Sequence, residues 1–186
     1  MEKAYKFGII IGRFQPIHIG HEDVINKTLA ITDKTAIFIG SSQESGTAKN
    51  PFDYNFRKKL IEEIYSEKIK NKILEIYPLP DRGLGNNSSW GDYVLDTVYN
   101  TCGEMPDLFV TGKEGRREKW FEDKNISILQ MPKTIDISAT KLRQNIINND
   151  LYCDTIIGLN PKILPYYNEI KNKILTSKNN INTQSL

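Results

Sequence analysis

Cysteine and histidine are the scarce residues of this 186-residue chain, with two of each. Cys102 and Cys153 stand far apart and without CxxC spacing. That excludes a disulfide framework or a cysteine metal site and leaves two reduced thiols as the expectation. Long apolar runs are missing too: none approaches the roughly 18 residues that a membrane span requires. The N-terminus carries no signal-peptide pattern, so a cytoplasmic location is expected. Neither sign of charge is in excess: 25 basic and 23 acidic side chains give a net charge of +2. This offers no basis for a nucleic-acid or membrane partner. No internal repeat, carboxylate cluster or evident nucleophile–base pair stands out. What is there, 39% hydrophobic and 26% charged residues, suits one globular domain over residues 1–176. The Asn/Ser/Thr/Gln-rich tail, 177–186, is expected to be disordered.

Apolar, β-branched runs alternate with amphipathic stretches. Strands are expected at 6–12, 36–40, 73–77, 108–112 and 126–129, and helices at 20–32, 89–101, 138–148 and 161–175. Another helix opens at Pro51-Phe52-Asp53, with Asp53 as N-cap and Phe56, Leu60, Ile61 and Ile64 facing inward. Residues 78–89 read as a long polar loop. The pattern is that of an α/β protein: a Rossmann-like, doubly wound parallel sheet of about five strands, helices on both faces, and a C-terminal helical extension. In such sheets ligands gather beyond the carboxyl ends of the strands. Gly12-Arg13, Ser41 to Gln43, Pro80-Asp81, Gly112-Lys113 and Ile137-Ser138 are therefore expected on one rim.

The stretch Gly8-Ile9-Ile10-Ile11-Gly12-Arg13-Phe14-Gln15-Pro16-Ile17-His18-Ile19-Gly20-His21 reads as a buried strand, a sharp turn and the start of a helix. His18 and His21, three residues apart, share one face of that helix. Backbone N–H groups, two imidazoles and Arg13 then converge on a volume suited to phosphate. Far along the chain, Ser138 of Ile137-Ser138-Ala139-Thr140-Lys141-Leu142-Arg143 is placed to cap another helix. Its free N–H groups and hydroxyls also suit phosphate, and Arg143 follows one turn later.

The first stretch resembles the HxGH signature of the nucleotidyltransferase superfamily, in the GRFQP form of its archaeal-type nicotinamide-mononucleotide adenylyltransferases. The second resembles the ISxTxxR motif of HxGH enzymes. Gly40-Ser41-Ser42-Gln43, Asn50-Pro51-Phe52 and Arg57 resemble the same group's GSxQ…NPF…R segment. Pro80-Asp81 with Asn86, Asn87 and Trp90 resembles the loop that receives the nicotinamide nucleotide, in which a tryptophan stacks on the base. The likeness covers roughly residues 6–175.

The resemblance implies adenylyl transfer from ATP to nicotinamide mononucleotide, giving NAD and pyrophosphate by direct in-line attack on the α-phosphate. It implies Mg²⁺ carried mainly by the ATP phosphates with no dedicated protein ligands, and assembly as a homo-oligomer. The catalytic group would be His18, His21, Arg13 and Arg143. ATP would also meet Gly12, Phe14, Gly20, Ile137, Ser138 and Thr140. The nicotinamide nucleotide would meet Gln15, Ser41, Gln43, Lys49, Asn50, Phe52, Asp81, Asn87, Trp90 and Lys113. Trp90 can alternatively be a packing residue, which is the expectation for Trp120. Lys49 stands where many members carry arginine, and a lysine cannot form a bidentate fork. Lys113, Arg116 and Arg117 replace an SGN-like turn, and either hold the mononucleotide phosphate or form a solvated basic turn. Adenylyl transfer to nicotinic acid mononucleotide, flavin mononucleotide or phosphopantetheine is the alternative reaction. A silent nucleotide-binding regulator is the alternative of another class.

Overall fold

Buried β-branched runs set the centre of the fold. In the computed structural model, which describes residues 2–85, 87–112, 118–132, 134–148 and 158–182, five parallel strands form one sheet: β1 (Tyr5–Gly12), β2 (Thr32–Gly40), β3 (Leu74–Leu79), β4 (Leu108–Thr111) and β5 (Ser127–Gln130), in the order β3-β2-β1-β4-β5. Strand β1 is central, pairing Ile10 with Ile37 on one side and with Val110 on the other. The strand order reverses there, which opens a crevice beyond the carboxyl ends of β1 and β4.

Alternation along the strands feeds two cores. Ile10, Ile37, Ile39 and Val110 face one side, under helices α1 (Ile19–Ile31) and α2 (Tyr54–Lys70) and the C-terminal segment. Phe7, Ile9, Ile11, Phe38 and Phe109 face the other, under α3 (Ser88–Cys102) and a 3-10 turn, Glu118–Trp120. The doubly wound sheet with helices on both faces is as expected. Helix α4 (Ala139–Asn148) and the pair formed by a 3-10 helix, Pro161–Tyr166, and α5 (Tyr167–Asn182) complete the fold. Among the described residues no helix is long and apolar enough to cross a membrane.

Boundaries moved where local chemistry overrode pattern. Strand β3 runs through Pro78 to Leu79, because β3 is an edge strand and a missing N–H costs nothing on its open side. The C-terminal helix is broken into a 3-10 segment containing Pro165 before α5 begins. Residues 177–186 were expected to be disordered, yet α5 continues through Ser177 to Asn182. Ser177 is buried and its hydroxyl donates to the Lys173 carbonyl at 2.8 Å. Residues 183–186 lie outside the described residues.

One glycine fixes how α3 meets the sheet. A Cβ on Gly91 would stand 1.7 Å from the Trp120 carbonyl oxygen, and the obstacle is backbone, which cannot swing aside. Gly→Ala inside a helix normally stabilises by up to about 1 kcal/mol. Here Gly91→Ala should instead destabilise by about 3 kcal/mol, measured as a drop in the midpoint of urea unfolding.

Candidate active site

The end of β1 turns into α1 through a tightly folded corner. Phe14 takes a left-handed φ of 49°, folding its ring under Gly12, where a Cβ would come within 2.8 Å of it. His18, extended at φ −148° and ψ 167°, is the N-cap of α1, and its Nδ1 accepts from the His21 N–H at 3.3 Å. An imidazole that accepts at Nδ1 carries its proton on Nε2. The His18 and His21 rings stack with centroids 3.7 Å apart, and Phe14 closes on His21 at 4.8 Å. Burial lowers the His18 pKa to about 4, so near neutrality the ring is an uncharged N–H donor at a helix N-terminus.

Two arginines from the two motifs lie near each other. Arg143, on α4, donates from Nη1 to the Gln15 carbonyl at 2.7 Å. Burial lowers its pKa, and so does the neighbouring charge of Arg13. Arg13 is half-buried, and its Nη1 has no hydrogen-bond partner. Ser138 caps α4, its Oγ accepting from the Lys141 N–H at 3.2 Å, while Ser138 and Thr140 are themselves exposed. Ile137 is the wedge joining the two motifs: a Cβ on Gly20 would lie 2.9 Å from its Cγ2, and one on Gly158 would lie 2.0 Å from its Cδ1. Arg143 and Ile137 thus bring the start of α4 to the β1–α1 corner, where Gly12, Phe14 and Gly20 lie.

The second substrate's expected residues divide differently. Gln15 is 2% exposed, and its amide donates to the Phe52 carbonyl and accepts from the Phe52 N–H, both at 3.0 Å. Phe52 is fully buried. Both were expected as ligand contacts; instead they form a clamp that seats the start of α2 against β1. Asn50 is also buried, with its Nδ2 donating to the Glu44 carboxylate and its Oδ1 without a partner. Gln43 repeats the clamp on the exposed rim, its amide bonded to both the N–H and the carbonyl of Asp81 at 3.0 Å. The Asp81 carboxylate accepts from Gly83. Lys49 is exposed, and Ser41 is half-buried with φ 47°. Asn87 caps α3 by accepting from the Trp90 N–H, and lines a cleft of about 510 Å³ with Ser88, Lys119, Glu122 and Asp123.

Trp90 was expected to offer an open stacking face. It is 8% exposed, 5.1 Å from the Tyr93 ring and edge-on to Trp120 at 5.8 Å. The ring is therefore chiefly core, although its Nε1 is buried without a partner. Trp120, expected as packing, lies in the same cluster. Asn86, Lys113, Arg116, Arg117 and Cys153 lie outside the described residues.

Three participants escaped the sequence reading. The Gly158 carbonyl accepts the Ile19 N–H at 3.0 Å, and Asn160 donates to the buried Glu22 carboxylate at 2.6 Å. Both brace the start of α1, and burial raises the Glu22 pKa. The signal was a glycine inside an apolar run, the usual mark of a close approach. The third, Arg57, was noticed only as part of a motif.

A parallel sheet whose switch-point crevice holds stacked imidazoles, two arginines and two helix N-termini defines a nucleotide-phosphate-handling protein of the Rossmann-like class. A family model described as cytidylyltransferase-like matches residues 9–145. The nicotinamide-nucleotide adenylyltransferase of Thermococcus kodakarensis is 31% identical over 152 residues, covering 78% of this chain and 74% of its own. That of Pyrococcus horikoshii is 31% identical over 169 residues, covering 88% and 83%. The chain belongs to the cytidylyltransferase-like family, in its nicotinamide-nucleotide adenylyltransferase branch. The same fold occurs in the crystal structure of a bifunctional NMN adenylyltransferase/ADP ribose pyrophosphatase from Francisella tularensis complexed with AMP and a manganese ion, with a TM-score of 0.74 and 24% identity over 95% of this chain. This chain spans about half of that bifunctional protein, 54% of its length.

The buried His18 makes stability depend on pH. Its imidazole titrates near 6.5 when unfolded and near 4 when folded, so between these values the unfolded state binds more protons. Stability should thus be full above about pH 6.5 and fall by up to about 3 kcal/mol as pH drops toward 4. His18→Asn, which keeps a capping oxygen, should flatten that slope in urea titrations. In ¹⁵N NMR, His18 should appear as the Nε2–H tautomer, with a midpoint well below that of a free imidazole.

Proposed function

We propose that this chain transfers the adenylyl group of ATP, taken as its Mg²⁺ complex, to the phosphate of nicotinamide mononucleotide, releasing NAD and pyrophosphate. A mononucleotide phosphate oxygen attacks the α-phosphorus in line; that P–O bond forms as the bond from the α-phosphorus to the β-phosphate bridge oxygen breaks. The electron pair leaves with pyrophosphate, and no covalent enzyme intermediate intervenes. Such a transfer requires positioning and charge stabilisation more than proton chemistry.

The observation that carries the reading is the stacked His18–His21 pair at the head of α1, with Arg143 bonded to the Gln15 carbonyl of the same turn and Arg13 near Arg143. All four present donors, and they suit the α- and β-phosphates of ATP. Ser138, Thr140 and Arg143 at the start of α4 suit the β- and γ-phosphates. Ser41, Gln43, Lys49, Asp81 and Asn87, along the ends of β2 and β3, form the acceptor's side. Among the described residues no three His, Cys, Asp or Glu side chains are grouped to hold a metal. The Mg²⁺ of the proposed reaction travels with the nucleotide, held by phosphates and water. The proposal extends to a reduced, cytoplasmic setting, supported by the free, half-buried Cys102, and to a homo-oligomer, on the family resemblance.

The test is pyrophosphate release with Mg-ATP against nicotinamide mononucleotide, nicotinic acid mononucleotide, flavin mononucleotide and phosphopantetheine. Turnover should be highest with the nicotinamide compound. His21→Ala should lower kcat by about 10²–10³-fold, the usual loss for one stabilising donor. Turnover confined to another acceptor would reassign the β2–β3 rim, and a His21→Ala variant as fast as wild type would remove that histidine from the chemistry.

A further inference from the structure

Arg57, in the first turn of α2, has no exposed surface. Its guanidinium donates four hydrogen bonds, all to backbone carbonyls: Nε to Asp53 at 3.2 Å, Nη1 to Arg13 at 3.0 Å and to Gly40 at 2.8 Å, and Nη2 to Ser41 at 3.2 Å. Asp53 is the N-cap of its own helix. The other three carbonyls terminate β1 and β2, the adjacent strands whose ends carry the two sides of the site.

The choice of carbonyls is informative. Nη1 holds the carbonyl of Arg13, in the peptide that precedes Phe14, and the carbonyl of Gly40, in the peptide that precedes Ser41. Among the described residues, Phe14 and Ser41 are the two non-glycine residues just beyond β1 and β2 with left-handed backbone, at φ 49° and 47°. Such conformations are unfavourable for residues with a Cβ and persist only where surrounding structure enforces them. One guanidinium thus grips both strained corners from beneath. For stability alone a buried cation is a poor choice, since an apolar side chain of similar volume avoids its desolvation. Burial pushes the Arg57 pKa down to about 10.

We infer that Arg57 is a positioning residue: by joining the carbonyls of Arg13, Gly40 and Ser41 it makes the ends of β1 and β2 one rigid body, fixing the distance between the α-phosphate and the attacking phosphate. This rests on the proposed adenylyl transfer, with ATP on the β1 side and the acceptor on the β2 side. Arg57 touches neither substrate. Its loss should leave each half-site able to bind and misalign the two.

The experiment is Arg57→Lys, which retains the charge but cannot span carbonyls on two strands with a single ammonium. Because a misplacement of about 1 Å can cost ~10²-fold, kcat should fall about 10- to 100-fold. The KM for ATP and for the mononucleotide should each stay within about threefold of wild type, and ATP binding alone, measured calorimetrically, should be retained. An Arg57→Lys protein with wild-type kcat overturns the inference, as does one with raised KM and unchanged kcat. A lower melting temperature with normal turnover of the folded fraction would make Arg57 merely structural, and overturns it too. Absence of turnover in the wild-type protein, with every acceptor, would instead bring down the adenylyl-transfer reading and this inference with it. Should Arg57→Lys show no cooperative unfolding transition, Ser41→Gly decides by thermal melting. Glycine relieves a left-handed residue, so the midpoint should hold or rise, and a drop of more than about 5 °C would show that the gripped corner is not strained.

Discussion

The site depends on one hydrogen bond between distant parts of the chain: Arg143 Nη1 donating to the Gln15 carbonyl at 2.7 Å. It carries the second motif onto the first, and its length leaves no room for slack between α4 and the β1–α1 corner. Ile137 sets the angle of that approach. Its side chain enters a slot that exists only because positions 20 and 158 lack a Cβ. The glycine in the HxGH pattern therefore has a steric duty separate from any ligand: with a side chain there, Ile137 would be displaced and the His18 ring crowded. Motifs separated by more than a hundred residues meet because β1 is the central strand of a parallel sheet, and its carboxyl end is where strand order reverses.

The corner itself shows how a helix start becomes a reagent. His18 caps α1 with Nδ1, which fixes the tautomer and leaves the remaining proton on Nε2. Stacking with His21 and the return of Phe14 beneath Gly12 keep the pair from turning. A serine or aspartate would cap the helix at least as well, but would offer no ring N–H. Capping and ligand donation are thus combined in one side chain, at the cost of burying an imidazole.

What the sequence revealed followed from local physics. Runs such as Phe7 to Ile11 and Leu108 to Val110 could only be strands covered on both faces, and Asp53 and Ser138 stood where caps were needed; both cap as expected. What it concealed depended on contacts between distant residues. Gln15 and Gln43 look like ligand residues beside a motif, yet each amide closes on a peptide unit 37 or 38 residues further along. No spacing rule reports such a pairing. For Trp90, a stacking role came from the resemblance with packing as the alternative; the Gly91–Trp120 approach draws α3 inward and carries the indole into the second core. Proline effects were local but needed context, since Pro78 is harmless only because β3 turned out to be an edge.

Electrostatics unites these elements. Arg13, Arg57 and Arg143 stand close enough that the Arg13 charge lowers the pKa of each of the other two, over and above the larger effect of burial. Three cations so close repel one another; Arg57 is held by four carbonyl contacts and Arg143 by one, while Arg13 and Arg143 stay half-exposed to water. The charge of Asp53, the α2 cap, and that of Glu44 both raise the Arg57 pKa and offset part of this repulsion. The corner retains one buried guanidinium donor, the Arg13 Nη1, without a hydrogen-bond partner. A neutral His18 contributes a donor without adding a further positive charge to the cluster. Under the proposed adenylyl transfer, a bound polyphosphate would lessen the repulsion between the arginines.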